Sequence, residues 1–248
     1  MKKSKVKMKK IVLVMLVVVP FLVNGQNRTV HTNMIWAGYF NTLHFNDRWA
    51  LMSDFQIRTK DWTRQWSQVV LRSGGQYSLN RKATLSAGLS WFKNAAYTNK
   101  DVIFRNEWRP WEEFSYKSFL NKKNNLFLIH RVRTEQRFIE QPMVNGESDY
   151  SFVFRFRYKI ELQFPLGIDQ LSASVANEIM VNPADISNSN FFDQNRIFAG
   201  VNWKVSDHVV LQWQYLKILQ RRNALDLLED QDVLRFNVRH DINFKKKS

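Results

Sequence analysis

The chain contains no cysteine. That excludes disulfides, thiolate chemistry and a lipidated N-terminal cysteine. An exported chain of this kind needs a fold that holds without staples, and a closed barrel in lipid meets that need. Long apolar runs are also missing. Hydrophobic residues make up 44% of the chain, yet no run reaches the roughly 20 residues that a membrane-spanning helix requires. No glycine-rich phosphate loop, paired-carboxylate motif or metal-ligand spacing stands out either. The expectation is therefore no cofactor, no metal and no catalytic residues.

What is present is alternation. From Tyr150 to Phe164 every even position is apolar or aromatic: Tyr150, Phe152, Phe154, Phe156, Tyr158, Ile160, Leu162 and Phe164. From Arg155 onward every odd position is polar, namely Arg155, Arg157, Lys159, Glu161 and Gln163. Period two over such a length predicts a β-strand with two chemically opposite faces. Soluble strands usually stop at about 5–6 residues. A longer strand with an aromatic-rich face and a charged face suits a transmembrane β-barrel. Turning Arg155, Arg157 and Lys159 to lipid would cost about 2–4 kcal/mol each near the midplane. The even face is thus expected to meet lipid and the odd face the lumen. The alternative is a soluble sandwich strand, which needs an apolar partner sheet; recurrence of the pattern along the chain weighs against it.

The N-terminus differs from the rest. Lys2, Lys3, Lys5, Lys7, Lys9 and Lys10 precede an apolar core from Ile11 to Val19, and Gly25 follows. A basic segment, a short apolar segment and a small residue read as a secretory signal peptide. The expected organisation is a signal peptide over 1–25, cleaved after Gly25, and an outer-membrane barrel domain over 26–248. A retained anchor is the alternative, but Ile11 to Val23 is short for a span. Residues 1–25 carry six Lys and no acid, so the formal charge of +15 falls to 15 − 6 = +9 after cleavage. Such a balance suggests nucleic acid in a cytosolic protein. Here the export signal, and arginines placed on strand faces opposite aromatics, argue against a nucleic-acid partner.

Eleven stretches read as strands: Val30–Thr42, Arg48–Thr59, Trp66–Leu79, Ala83–Lys93, Phe104–Leu120, Leu126–Phe138, Tyr150–Phe164, Leu171–Val181, Phe191–Lys204, Val209–Leu219 and Gln231–Phe244. Alternation is poor in the first. Gly74-Gly75 suggests a bend or bulge, and Pro110 a bulge or break, because proline cannot donate to a ladder. Connections alternate between short turns and longer polar loops, the pattern of periplasmic turns and extracellular loops. Single-chain bacterial barrels normally have an even strand count. Either one N-terminal strand is unread or Val30–Thr42 lies outside the wall. The expected fold is all-β: one antiparallel transmembrane barrel of about 10–12 strands. The nine tryptophans fall near strand ends and read as girdle anchors. Carbohydrate stacking by loop residue Trp62 is the weaker alternative.

Several short runs carry a family resemblance. They are Phe104-Arg-Asn-Glu-Trp-Arg-Pro-Trp-Glu-Glu, His130-Arg-Val-Arg-Thr-Glu-Gln-Arg-Phe, Phe152-Val-Phe-Arg-Phe-Arg-Tyr, Asn177-Glu-Ile-Met-Val-Asn and Asp193-Gln-Asn-Arg. The chain resembles a "domain of unknown function" family of bacterial outer-membrane β-barrels over nearly all of its mature length. The resemblance implies a fold and an address, since the family has no established activity.

Strand parity collects the lumen-facing charges. The basic set is Arg58, Arg72, Arg105, Arg109, Arg131, Arg133, Arg137, Arg155, Arg157, Lys159, Arg196, Arg235 and Arg239. The acidic set is Asp54, Glu107, Glu135, Glu161, Glu178 and Asp241. Antiparallel neighbours set such residues opposite each other, where arginine–carboxylate pairs can form. One reading is an ion-pair lattice that braces the wall and plugs a narrow lumen, with Arg131, Arg133, Arg155 and Arg157 paired to Glu107, Glu135 and Glu161. The other is an anion-attracting pore or ligand site, with outer-membrane lipid outside and small anionic solutes inside. The barrel-assembly machinery is the partner expected during insertion; the oligomeric state is left open. A third possibility is a lipid-face enzyme of phospholipase type. It needs an outward His beside a Ser, and His130 and His240 have outward parity without an evident Ser at the same depth.

Overall fold

The computed structural model describes residues 28–97, 101–123, 125–141, 149–183, 191–222 and 227–244. The expected signal peptide, the tips of the longer loops and the terminal Lys245–Ser248 lie outside them. Eleven strands follow one another: β1 (Arg28–His44), β2 (Trp49–Lys60), β3 (Gln65–Ser78), β4 (Ala83–Tyr97), β5 (Val102–Phe119), β6 (Phe127–Gln141), β7 (Asp149–Pro165), β8 (Leu171–Val181), β9 (Phe192–Lys204), β10 (Val209–Arg222) and β11 (Leu227–Asn243). Each pairs with its sequence neighbours, and β1 closes on β11 to form a barrel.

Closure departs from an all-antiparallel ring. β1 and β11 pair in parallel, from Arg28↔Leu227 to His44↔Asn243. The reason is arithmetic: an up-and-down meander of odd count brings its first and last strands together pointing the same way. The stretch Val30–Thr42 therefore belongs to the wall, contrary to one of the two alternatives raised by the odd count. Its alternation is poor because its inward residues are themselves apolar. Met34 and Trp36 are buried in the lumen with Phe198, Leu216, Ile218 and Val233.

Several strands outrun the expected boundaries. β4 continues to Tyr97, β6 to Gln141 and β11 starts at Leu227, where the hydrophobic pattern suggested loops. Backbone ladders do not need apolar side chains once a strand has left the apolar band. Of the two expected irregularities, the one at Gly74-Gly75 is absent, and Pro110 breaks the ladder without a bulge. Met52↔Gly74 and Gly74↔Gly88 keep the neighbouring register. At Pro110 two pairs drop out of the β5–β6 ladder, yet Trp108↔Phe138 and Trp111↔Glu135 on either side share one register. The register shifts lie elsewhere, between Arg58 and Thr59 on β2 and between Met180 and Val181 on β8.

Gly74 and Gly88 have a packing reason instead. A Cβ on Gly74 would come within 2.6 Å of the Trp111 ring, and one on Gly88 within 2.8 Å of it and 2.1 Å of the Ser73 carbonyl. The two glycines make a floor on which Trp111 lies, 1% exposed. Trp36 and Trp111 are thus lumen residues, which corrects their assignment to the girdle: parity, not proximity to a strand end, decides the side. Other tryptophans do face outward. Trp49 packs on Tyr77, Trp91 on Trp108 and Trp203 on Trp213.

The burial pattern is inverted relative to a water-soluble domain. Glu107, Glu135, Glu178, Arg133 and Arg155 are buried, whereas Phe55, Leu71, Leu89, Phe152, Ile197, Trp213 and Phe236 are exposed. An apolar exterior around a charged interior is the barrel counterpart of a membrane helix bundle.

Candidate functional site

The lumen is built by inward side chains at alternate positions, so its chemistry follows strand by strand from sequence parity. On β5 to β8 it is a lattice of arginine and carboxylate. Glu107 accepts from Arg109 Nε at 2.7 Å and Arg137 Nε at 2.5 Å. Glu135 is the hub. Arg157 Nη1 lies 2.5 Å from its Oε1, and Arg109, Arg155 and Arg133 stand 3.6, 3.8 and 3.9 Å away. Glu178 takes Arg131 at 2.5 Å and Arg157 at 2.8 Å. Rings back the guanidinium groups: Arg109 lies 3.6 Å over Phe92 and Arg133 4.6 Å over Trp111. Each carboxylate answers more than one arginine, the condition under which buried charges are tolerated.

The expected pairings are redistributed. Arg131 and Arg133 meet Glu113, at 3.5 and 2.6 Å. Arg155 reaches across to Asp193 at 2.9 Å. Of the expected pairings, those of Arg133, Arg155 and Arg157 with Glu135 are present, whereas Glu107 meets Arg109 and Arg137 and Glu161 binds Lys159 at 2.5 Å. Glu113 and Asp193 were missed. Glu113 shares the parity of Glu107 and Arg109, so carrying the alternation past Pro110 finds it. Asp193 carries no such signal, because the register shift beside Val181 turns an odd residue inward.

The opposite wall, from β9 round to β2, differs. Its upper part is the apolar cluster around Trp36. Below it, Arg58, Arg196 and Arg235 lie among glutamines. Arg72 stands 3.7 Å from Asp54, and Asp241 is 3.7 Å from His44. Arg239 lines the cavity near its mouth. On β5, in the other wall, Arg105 has a buried Nε without a hydrogen-bond partner. A further acidic residue, Glu229, binds Lys60 at 3.1 Å.

One lumen cavity of about 410 Å³ runs from Phe40, Lys117, Phe127 and Arg239, at the end with the short turns, inward to Arg58, Arg196 and Phe198. Ten basic and five acidic side chains line it. The upper lattice around Glu107, Arg137 and Arg155 lies beyond that lining.

A family described as "Protein of unknown function (DUF2490)" matches residues 33–228. The chain belongs to this family. The matched DUF2490 region runs from within β1 to the first residues of β11 and so includes the whole of β2 to β10, with Arg235 and Arg239 beyond it. Among solved structures, the chain is similar to one titled as a NanC porin in a rhombohedral crystal form, with 10% identity and a TM-score of 0.46; the match covers 79% of this chain and 93% of that one. Curated proteins give no match. Three of the five runs that carried the resemblance, Phe104–Glu113, His130–Phe138 and Phe152–Tyr158, lie on the adjacent strands β5, β6 and β7. They supply most of the lattice.

On the outside, His130 Nδ1 pairs with the Tyr158 hydroxyl at 2.8 Å and His240 Nδ1 with that of Tyr39 at 2.9 Å. These are girdle-height contacts to tyrosine and give a phospholipase-type site no support. One outward group is unexpected. Glu112 is exposed on the apolar face of β5 and accepts from Thr134 Oγ1 at 2.5 Å and Gln136 Nε2 at 3.1 Å.

Proposed function

We infer that this DUF2490 barrel spans the outer membrane of a Gram-negative type of cell after cleavage of its signal peptide. Its lumen receives small anionic solutes, with the short turns at the periplasmic side. The inverted burial pattern supports the address. The carrying observation for the solute is the cavity lining of ten basic against five acidic side chains. Low-dielectric walls focus such an excess into a positive interior potential. The lattice on β5–β8 and the apolar cluster around Trp36 narrow the bore above the cavity, so any conductance is small. Outer-membrane lipid surrounds the apolar face, and the barrel-assembly machinery inserts the chain. The test is reconstitution in a planar bilayer under a salt gradient. The expected reversal potential has the sign of anion preference; cation preference would overturn the reading.

A further inference from the structure

The arginines of the lumen have two kinds of partner. On β5 to β7 most donate to carboxylates. Three others donate to glutamine amide oxygens. Arg58 Nη1 donates to Gln68 at 2.5 Å and its Nη2 to Gln56 at 2.8 Å. Arg196 Nε donates to Gln194 at 2.8 Å. Arg235 donates to Gln214 through Nε at 2.8 Å and also through Nη2. A neutral amide fixes the direction of a guanidinium and leaves its charge uncancelled. Glu178 lies 3.9 Å from Arg196, but that carboxylate is already engaged at shorter range by Arg131 and Arg157.

Aromatic planes fix the same three groups from behind. Trp36 lies under both Arg58, at 4.0 Å, and Arg196, at 5.4 Å. Phe198 lies 5.1 Å from Arg235. Arg58 and Arg196 thus share one ring. Arg58 Nε is buried with no hydrogen-bond partner. The three sit at similar depth. Each is eight or nine residues from the end of its strand at the cavity mouth, marked by Trp49, Lys204 and Asn243. All three line the cavity. Like charges held together away from bulk water are unfavourable unless a counter-ion sits among them.

We propose that Arg58, Arg196 and Arg235 form an anion-binding site at the inner end of the lumen cavity, for a small water-soluble oxyanion bearing a carboxylate or phosphate group. The guanidinium fork matches the paired oxygens of both groups. The closed ladder separates the site from lipid, so its ligand arrives in water through the mouth past Lys117 and Arg239. The proposal rests on the anion-accepting reading of the lumen and narrows it to one place.

The test is titration calorimetry of the whole mature barrel, refolded in detergent, with sodium phosphate and with sodium citrate at constant ionic strength. Heat-dependent gel migration verifies that each variant is folded. Wild type is expected to bind at least one of the two saturably. Arg235→Gln and Arg58→Gln should each weaken binding about tenfold or more, as loss of a charged hydrogen bond implies. Gln214→Glu removes no arginine but gives Arg235 a carboxylate, and should weaken binding to a similar extent. Absence of saturable binding of both anions to folded wild type would overturn the site, as would binding that Gln214→Glu and Arg235→Gln leave unchanged. Reversal potentials of the same preparations separate the two levels. Anion preference without anion binding removes the site and keeps the lumen reading. Cation preference removes the lumen reading itself.

Discussion

The wall formed by β5 to β8 and the wall running from β9 round to β2 enclose one lumen but treat arginine differently. In the first, arginine and glutamate alternate at i and i+2 on the inward face, as in Glu107/Arg109 and Arg133/Glu135, so ion pairs form within and between strands. In the second, glutamine takes the place of glutamate, as in Gln56/Arg58 and Gln194/Arg196. The backbone is the same and the guanidinium groups are held as firmly, but most arginines of the first wall meet a carboxylate at hydrogen-bonding range, whereas Arg58, Arg196 and Arg235 meet amides there. The comparison separates two jobs of a buried polar side chain. A carboxylate both orients and neutralises; an amide only orients. Where a lumen is to be sealed the first is suitable, and where a charge is to be kept for a ligand the second is.

The largest expected effect comes from the hub of the first wall. Glu135→Ala leaves Arg109, Arg133, Arg155 and Arg157 without their shared counter-charge. It should lower stability by about 3–5 kcal/mol, measured as the shift in urea refolding equilibrium in lipid vesicles. A loss no greater than that of Gln214→Leu on the other wall would erase the distinction. The comparison also takes both walls to show lipid the same apolar outer face. Phe236→Arg, at an exposed position beside Trp213 and Ala37, should cost about 2–4 kcal/mol in the same assay. A neutral result would move this face out of the membrane.

Opposite signs sharpen the contrast further. Gln214→Glu should stabilise the barrel by about 1 kcal/mol, because a charged hydrogen bond to Arg235 replaces a neutral one. Glu135→Gln makes the reverse exchange and should destabilise. Thermal unfolding in detergent reads both. The smallest effect is expected outside. Glu112→Leu removes a carboxylate from the apolar surface but also its bonds to Thr134 and Gln136. A net gain of up to about 1 kcal/mol in the vesicle assay is expected, and a loss would mean that this polar group is needed where it stands.

Legibility in the sequence followed the physics of each feature. The faces of β7 could be read because arginine in lipid is costly, so Arg155 and Arg157 had one place to go. Glu113 was readable in principle by continuing the parity of Glu107 across Pro110, since the register there does not shift. The roles of Gln56, Gln68, Gln194 and Gln214 could not be read, because a glutamine on an inward face looks like generic polar lining until its arginine is known. Trp36 and Trp111 misled because tryptophan serves both a girdle and a core. Gly74, with Gly75, read as a bend or bulge, when its meaning, like that of Gly88, lay in a tryptophan more than twenty residues away.

The sequence by itself determined the class of fold, the side that strands such as β7 turn to lipid and most of the charges inside. Those depend on period two and on the cost of burying charge in an apolar medium, which act residue by residue. Only the tertiary structure decided that β1 and β11 close in parallel and that Arg155 finds Asp193. It also decided that three arginines are held by amides over Trp36 and Phe198 while their neighbours are neutralised. Such partnerships join residues across the bore or around the ring. Their geometry is set by strand count and register, which no local pattern encodes.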